Sequence, residues 1–325
     1  MKKLGLLLMT LLLTTTTLFA NGSGEQQETV QADYPTKNVQ CIIPYSPGGG
    51  SDILTRTIMK YIEMDKPLVA INVDGAGGMI GCMQAFNSPN DGYTILAHNP
   101  MDVVSYSLSG QTDIELWSEL ETICNVVSDF NVISTNKQSG WTTIEEMVEY
   151  AKANPGEIKW GVTGAQTVNM ADTERIVAAL GISDDVILVP YDGGSASKTA
   201  LLGNHIQVET NSSSDIRSSV DSGDCIPLMV VSDKRIQALP DVITTVEKGI
   251  NVSTAKPRGY YAPKGTPQYV IDYLANAIKV VTEKPEFATT VNNLGLQVDF
   301  MTGPESLEKV AGWVEEVKPF FSQFK

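Results

Sequence analysis

Pro44-Tyr-Ser-Pro-Gly-Gly-Gly-Ser-Asp52 follows a short apolar run, Val39 to Ile43, and precedes an amphipathic segment running from about Ile53 to Met64. Pro44 to Gly50 cannot continue a strand, and Ser51 or Asp52 is a suitable helix N-cap, so the pattern predicts strand, glycine turn, helix. At such a turn several main-chain N–H groups point out of the first helical turn, where the helix dipole is positive. Gly48, Gly49 and Gly50 let a guest approach the backbone closely, with Ser46 and Ser51 as additional contacts. The chemistry on offer is the capture of a small anion. The same three glycines would also serve a plain strand-to-helix connection, and on this stretch alone both readings stand.

The layout recurs in the second half of the chain. A strand, Lys159-Trp-Gly-Val162, runs straight into Thr163-Gly-Ala-Gln-Thr-Val-Asn169 and a helix from about Met170 to Leu180. Gly164, Ala165, Gln166, Thr167 and Asn169 are the candidate contacts there. Asp52 is also a candidate cleft residue, although its spacing to Arg56 suits a helical i,i+4 ion pair. Tyr191 and Asp192, at the end of the Val186 to Pro190 strand, are candidates for the cleft wall. His98, at another strand end, either faces the cleft or is a satisfied buried group.

Enzymatic chemistry finds no support. Gly193-Gly-Ser-Ala-Ser197 lacks the last glycine of a nucleophile elbow, and no serine has a convincing histidine partner. Cys41, Cys82, Cys124 and Cys225 are widely spaced, without a Cys-x-x-Cys, and the chain has 2 histidines, so neither a metal nor a cofactor is expected. Disulfides and buried free thiols both remain open. Gly75-x-Gly77-x-x-x-Gly81 is an imperfect dinucleotide fingerprint, and the next strand ends in His98 and Asn99 with no acidic residue; a close-packed turn beside the cleft is preferred.

The elements that must position these turns alternate. Strands are expected at residues 67–73, 93–97, 122–127, 130–134, 205–210 and 226–231, besides those above. Helices are expected to open near Trp141 and Gly194, over 216–220, and over Gln268 to Thr282, Pro285 to Leu294 and Pro304 to Phe320. Short apolar strands alternating with helices predict an α/β fold with a largely parallel sheet, with ligands at the strand C-terminal ends. Two anion turns in separate halves predict two lobes across a cleft, residues 34–130 plus 255–325 and residues 131–254.

Residues 1–20 carry Lys2, Lys3, an apolar core from Leu4 to Leu13 and a small residue at Ala20, the layout of a cleaved secretory signal. Residues 21–33 read as a disordered tether. The expected mature protein is therefore exported, periplasmic or otherwise, and soluble. The formal charge is −15, or −17 once Lys2 and Lys3 leave with the leader, which makes nucleic acid and anionic membrane surfaces poor partners. An acidic protein that binds an anion must do so with local donors.

Tyr34-Pro-Thr-Lys, Pro44-Tyr-Ser-Pro-Gly-Gly-Gly-Ser-Asp52 with Arg56, Gly75-Ala-Gly-Gly78, Asp91-Gly-Tyr-Thr94, Val189-Pro-Tyr-Asp-Gly193 and Ala262-Pro-Lys-Gly-Thr-Pro267 resemble the solute-binding proteins of tripartite tricarboxylate transporters, the Bug family. The likeness covers nearly the whole mature chain, with six blocks in register. It implies a type II periplasmic-binding-protein fold, two α/β lobes joined by a two-strand hinge. It further implies a small organic carboxylate gripped by loops 46–52 and 163–169, and delivery by a monomer to integral-membrane transporter subunits. An ABC-type importer or a sensor kinase is the alternative partner; an exported hydrolase is the remaining alternative. This chain departs from the family pattern at Asn169, where His is common, at Asp192, where a basic residue is usual, and at Asn211, a strand-end position that is often Asp. These changes suit a ligand carrying an amine or several hydroxyls better than a second carboxylate.

Overall fold

In a computed structural model of the chain, residues 33–322 are described; the expected leader and all of the tether except Asp33 lie outside them. In chain order the elements are β1 (Val39–Ile43), α1 (Gly50–Tyr61), β2 (Leu68–Asn72), α2 (Met79–Phe86), β3 (Thr94–His98), α3 (Pro100–Leu108), α4 (Leu116–Glu119) and β4 (Leu120–Asn136). Next come α5 (Ile144–Ala153), β5 (Ile158–Thr163), α6 (Val168–Leu180), β6 (Val186–Tyr191), α7 (Gly194–Leu202), β7 (Val208–Ser212), α8 (Ser213–Asp221) and β8 (Cys225–Val230). The chain closes with β9 (Ala255–Pro263), α9 (Gln268–Thr282), α10 (Pro285–Asn293), β10 (Gln297–Thr302) and α11 (Gly303–Phe321).

The fold is α/β with two lobes. The strand path is β2-β1-β3-β9-β4-β7-β5-β6, with β10 and β8 also paired to β4. Its wings, β2-β1-β3 and β7-β5-β6, are parallel, as strands joined through helices must be. The centre is antiparallel: β9 lies between β3 and β4, and β4 pairs with β7, β8 and β10. The sheet is therefore mixed, where strand-helix alternation alone predicts a largely parallel one.

The expected strands at 122–127 and 130–134 are one 17-residue strand, β4. Its first part pairs with β9 from Leu120↔Pro263 to Phe130↔Ala255, and its last part with β7 from Asn131↔Ser212 onward. Ser128 and Asp129 interrupt the apolar run yet are fully buried, because their hydrogen bonds are made by partners distant in sequence. β4 thus runs unbroken from one wing to the other.

Each wing has its own apolar core. Ile43, Leu54, Ile58, Tyr260, Leu274 and Phe287 pack in the first, and Ile133, Trp160, Val162, Ile176 and Val208 in the second. In α9 the buried residues Val270, Ile271, Leu274, Ile278 and Val281 recur at helical spacing on one face. Each such side chain contributes about 1.5–3 kcal/mol when fully buried. From α11, Val310, Val314 and Val317 pack with Val104 of α3 and Val168 of α6. At the start of α5, Thr143 and Glu146 form a reciprocal capping box. All four cysteines are free and buried, and burial pushes the Cys82 and Cys225 thiols up to about 12.

Candidate functional site

A cavity of about 720 Å³ lies where the two wings meet. The N-termini of five helices reach it, through Gly50 of α1, Asp102 of α3, Asn169 of α6, Gly194 of α7 and Asp215 of α8. Each helix start leaves N–H groups without intrahelical acceptors and a positive dipole end, so such a concavity is suited to anions. Asp52, Asp102 and Asp215 lie in the first turns of α1, α3 and α8, whereas α6 and α7 have no acidic residue there.

The first loop enters the site in part. Ser46, Gly49, Gly50 and Ser51 line the cavity; Gly48 and Asp52 do not. The helix begins earlier than the sequence predicts, with Gly49 as an extended N-cap in place of Ser51 or Asp52. That frees Asp52 for another task. Its Oδ2 accepts from the Gly48 N–H at 2.9 Å, while Oδ1 accepts from Arg56 Nε at 2.9 Å and Asn72 Nδ2 at 3.0 Å. Asp52 braces the loop and uses the Gly48 amide to do so.

The second loop enters whole: Gly164, Ala165, Gln166, Thr167 and Asn169 all line the cavity. Thr167 caps α6, its Oγ1 accepting from Met170 N and donating to the Thr163 carbonyl. Asn169 Oδ1 accepts from the buried Asn131 Nδ2 at 3.0 Å, which turns its own amide N–H group elsewhere. Asp192 is on the wall, with Gly193 beside it, but the Tyr191 ring packs away from the cavity against the apolar cluster of Val132, Leu201 and Ile216. Asn211 is also off the wall. It is fully buried and donates to the Gly194 carbonyl and to Glu209, so it supports the start of α7.

The glycine turn before α2 is a close-packed one. A side chain at Gly81 would stand 2.6 Å from the Val73 carbonyl, and Ala76 and Gly77 form part of the cavity wall. His98 does not face the cavity. Its Nδ1 accepts from Asn99 N, so Nε2 carries the proton toward Tyr106 Oη, which in turn donates to the Gly77 carbonyl. Burial pushes the His98 pKa down to about 4, so the ring is neutral at physiological pH.

The floor of the cavity is formed by residues that no sequence motif marks. Lys256 and Arg258 project from β9. Arg258 Nε donates to Asp129 Oδ2 at 3.0 Å, with a second bond from Nη2, and Nη1 donates to Ser51 Oγ at 2.8 Å. Burial pushes the Asp129 carboxyl up, but Arg258, Lys256 and the Ser214 hydroxyl hold it below the ordinary carboxylate value. One arginine therefore ties the first loop to the strand that joins the wings. Tyr45 closes another side, its hydroxyl donating to Asp102 Oδ2 at 2.7 Å.

Beneath α7, Glu209 is fully buried, accepts from Ser197 and Asn211 on Oε2, and leaves Oε1 without a partner among the described residues. Burial raises its pKa from 4.5 to about 7. The folded chain therefore holds this proton more tightly than the unfolded chain, and the group's contribution to stability falls as pH rises from 4.5 toward 7. Replacing the carboxyl by the neutral amide in Glu209→Gln is expected to gain roughly 1–3 kcal/mol at pH 8 and much less at pH 5. Denaturant titrations of both proteins at the two pH values check this; a stability difference independent of pH would show the carboxyl to be unperturbed.

A two-lobed α/β body whose cavity is lined by helix N-termini from both sides defines a binding protein of the periplasmic type. A family model described as "Tripartite tricarboxylate transporter family receptor" matches residues 57–319, and the chain belongs to that family. It is 28% identical over 291 residues to a protein in the gbd 5' region of Cupriavidus necator, covering 89% of this chain and 88% of the other. It also resembles the solved structure of periplasmic binding protein BugD, at 27% identity, TM-score 0.80, with 90% and 98% of the two chains covered. An R. palustris protein solved with adipate shares the fold at TM-score 0.82 and 21% identity, over 90% of this chain and 98% of that one. The family is one of receptors, not enzymes, and BugD is a periplasmic binding protein. No helix among the described residues is long and apolar enough to cross a membrane.

Proposed function

We propose that this protein is an exported, periplasmic receptor that captures a small organic carboxylate and delivers it, as a monomer, to the membrane subunits of a tripartite tricarboxylate-type transporter. The observation that carries the reading is the meeting of loop 46–51 of one wing and loop 163–169 of the other on a single cavity at helix N-termini. Main-chain amides and small hydroxyls there replace water around a carboxylate without a net positive field. Family membership and the adipate bound by a protein of the same fold support the carboxylate class. The lobes are taken as residues 34–130 plus 255–325 and residues 131–254. Ligand engages both, so it favours the closed arrangement, and the membrane partner reads that closed shape.

A thermal-shift screen against C4 to C6 mono-, di- and tricarboxylates, amino acids, sugars and metal cations tests this. Ligand at about 100 times its dissociation constant adds roughly 2.7 kcal/mol of stability. Stabilisation by at least one carboxylate, with the compound recovered unchanged, is the expected result. Silence from every carboxylate together with a response to sugars or cations would exclude the proposal, and turnover of the compound would make the protein a hydrolase.

A further inference from the structure

The charges around the cavity do not match a dicarboxylate. Arg258 is neutralised by Asp129 beneath it. Lys256 is 5% exposed and lines the cavity, yet its ammonium finds only the Ser212 hydroxyl at 3.3 Å and no carboxylate within ion-pair distance among the described residues. A buried ammonium with donors to spare calls for an anionic group of the ligand. The uncompensated N-termini of α6 and α7 favour a negative charge on the same guest.

Against this one free cation stand three wall carboxylates, Asp102, Asp192 and Asp215, none of which has an ion-pair partner among the described residues. Among the described residues Asp102 accepts from Tyr45 on Oδ2 only, so Oδ1 is available to a guest. Asp192 is exposed on the wall and makes no side-chain hydrogen bond among the described residues. Asp215 lies under α7, where its Oδ2 would clash with a Cβ added at Gly194. Burial raises the Asp215 pKa, but with Asp215 protonated the free carboxylates would still outnumber the free cation. A ligand with two carboxylates would bring a second anion against Asp102 and Asp192 with no second free cationic side chain among the described residues to receive it.

From this juxtaposition we propose that the cavity selects an amino carboxylate: its carboxylate pairs with Lys256 and the helix N-termini, and its ammonium with Asp102, aided by Asp192. The proposal rests on the receptor reading above and names the ligand class within it. Like-charge repulsion excludes dicarboxylates of the same length, so the wall acts as a charge filter and not merely as a shape filter.

Isothermal titration of the purified protein with matched six-carbon compounds tests this: adipate, hexanoate, 6-aminohexanoate and lysine. The C4 and C5 dicarboxylates are titrated beside amino acids of equal carbon count that carry a single carboxylate. The tightest ligand is expected to carry an ammonium and to bind at least tenfold tighter than the dicarboxylate of its length. Asp102→Asn should weaken that ligand about tenfold or more while leaving or improving dicarboxylate binding, and Asp192→Asn, on the exposed wall, should act the same way more weakly. Lys256→Met should weaken both classes. A dicarboxylate as the tightest ligand, or equal losses for both classes in Asp102→Asn and Asp192→Asn, would overturn the charge filter and leave the receptor reading intact. Failure of every carboxylate would overturn both.

Discussion

Asp129→Ala is expected to destabilise the protein by roughly 3–5 kcal/mol, the usual cost of stripping the partner from a buried charge. Asp129 is fully buried and Arg258 nearly so, and the same carboxylate also accepts from the Ser213 hydroxyl at 2.9 Å and the Ser214 hydroxyl at 2.7 Å. The substitution would leave a guanidinium and the Ser214 hydroxyl short of their acceptor in the middle of the sheet, while Ser213 keeps the Gly295 carbonyl. For a chain of this size the melting temperature should fall on the order of 10 °C. The double variant Asp129→Ala/Arg258→Met removes the orphaned charge and should recover part of the loss, because an apolar replacement of both partners avoids the desolvation cost. Thermal denaturation of the three proteins decides the matter. A single variant within about 1 kcal/mol of wild type would mean that the pair contributes little and that water reaches Arg258.

Gly49→Leu is the second large effect, on binding instead of folding. Gly49 has extended backbone angles, φ −77° and ψ 166°, and an added Cβ would meet nothing closer than the Ser46 carbonyl at 3.5 Å. The chain should fold normally, with stability within about 0.5 kcal/mol of wild type. The leucine would then stand over the amides at the start of α1 and occupy the place of the guest. Affinity for the carboxylate giving the largest thermal shift should drop about 100-fold or more, roughly 2.8 kcal/mol. Gly50→Leu provides the contrast, since its Cβ would stand 2.9 Å from Arg258 Nη2 and 3.0 Å from Ser214 Oγ, so both stability and binding should suffer. Titration calorimetry alongside melting curves separates the two. Unchanged affinity in a well-folded Gly49→Leu would place the first loop outside the site.

Much of the site was legible before folding because it depends on local rules. The run from Gln40 to Arg56 and that from Lys159 to Leu180 declare strand, turn and helix through residue type alone, and both turns come to line the cavity. Local rules also fail in identifiable places. The expected i,i+4 pair of Asp52 with Arg56 forms, but the expectation of a side-chain cap at Ser51 or Asp52 missed that the same carboxylate would be held by Asn72, 20 residues away, and by the Gly48 amide. Tyr191 and Asn211 were placed on the wall by their strand-end positions, and packing turned both into the body. His98 was ambiguous by sequence and is settled by Tyr106 and the Gly77 carbonyl.

By itself the sequence determined the strand-turn-helix units, the α/β class and the two loops with their main-chain donors, because periodicity, glycine and capping act within a few residues. Tertiary structure alone decided that β4 is one strand, that β9 runs between the wings, and that Lys256 and Arg258 form a charged floor. The physical reason is that a charged residue in a short polar strand reads as surface until its partner is known. Arg258 finds Asp129 at a separation of 129 residues, and Asp102 and Lys256 come to the same cavity only when the sheet has formed. The polarity of the cavity, and with it the class of ligand, is a property of that long-range assembly and not of any one stretch of chain.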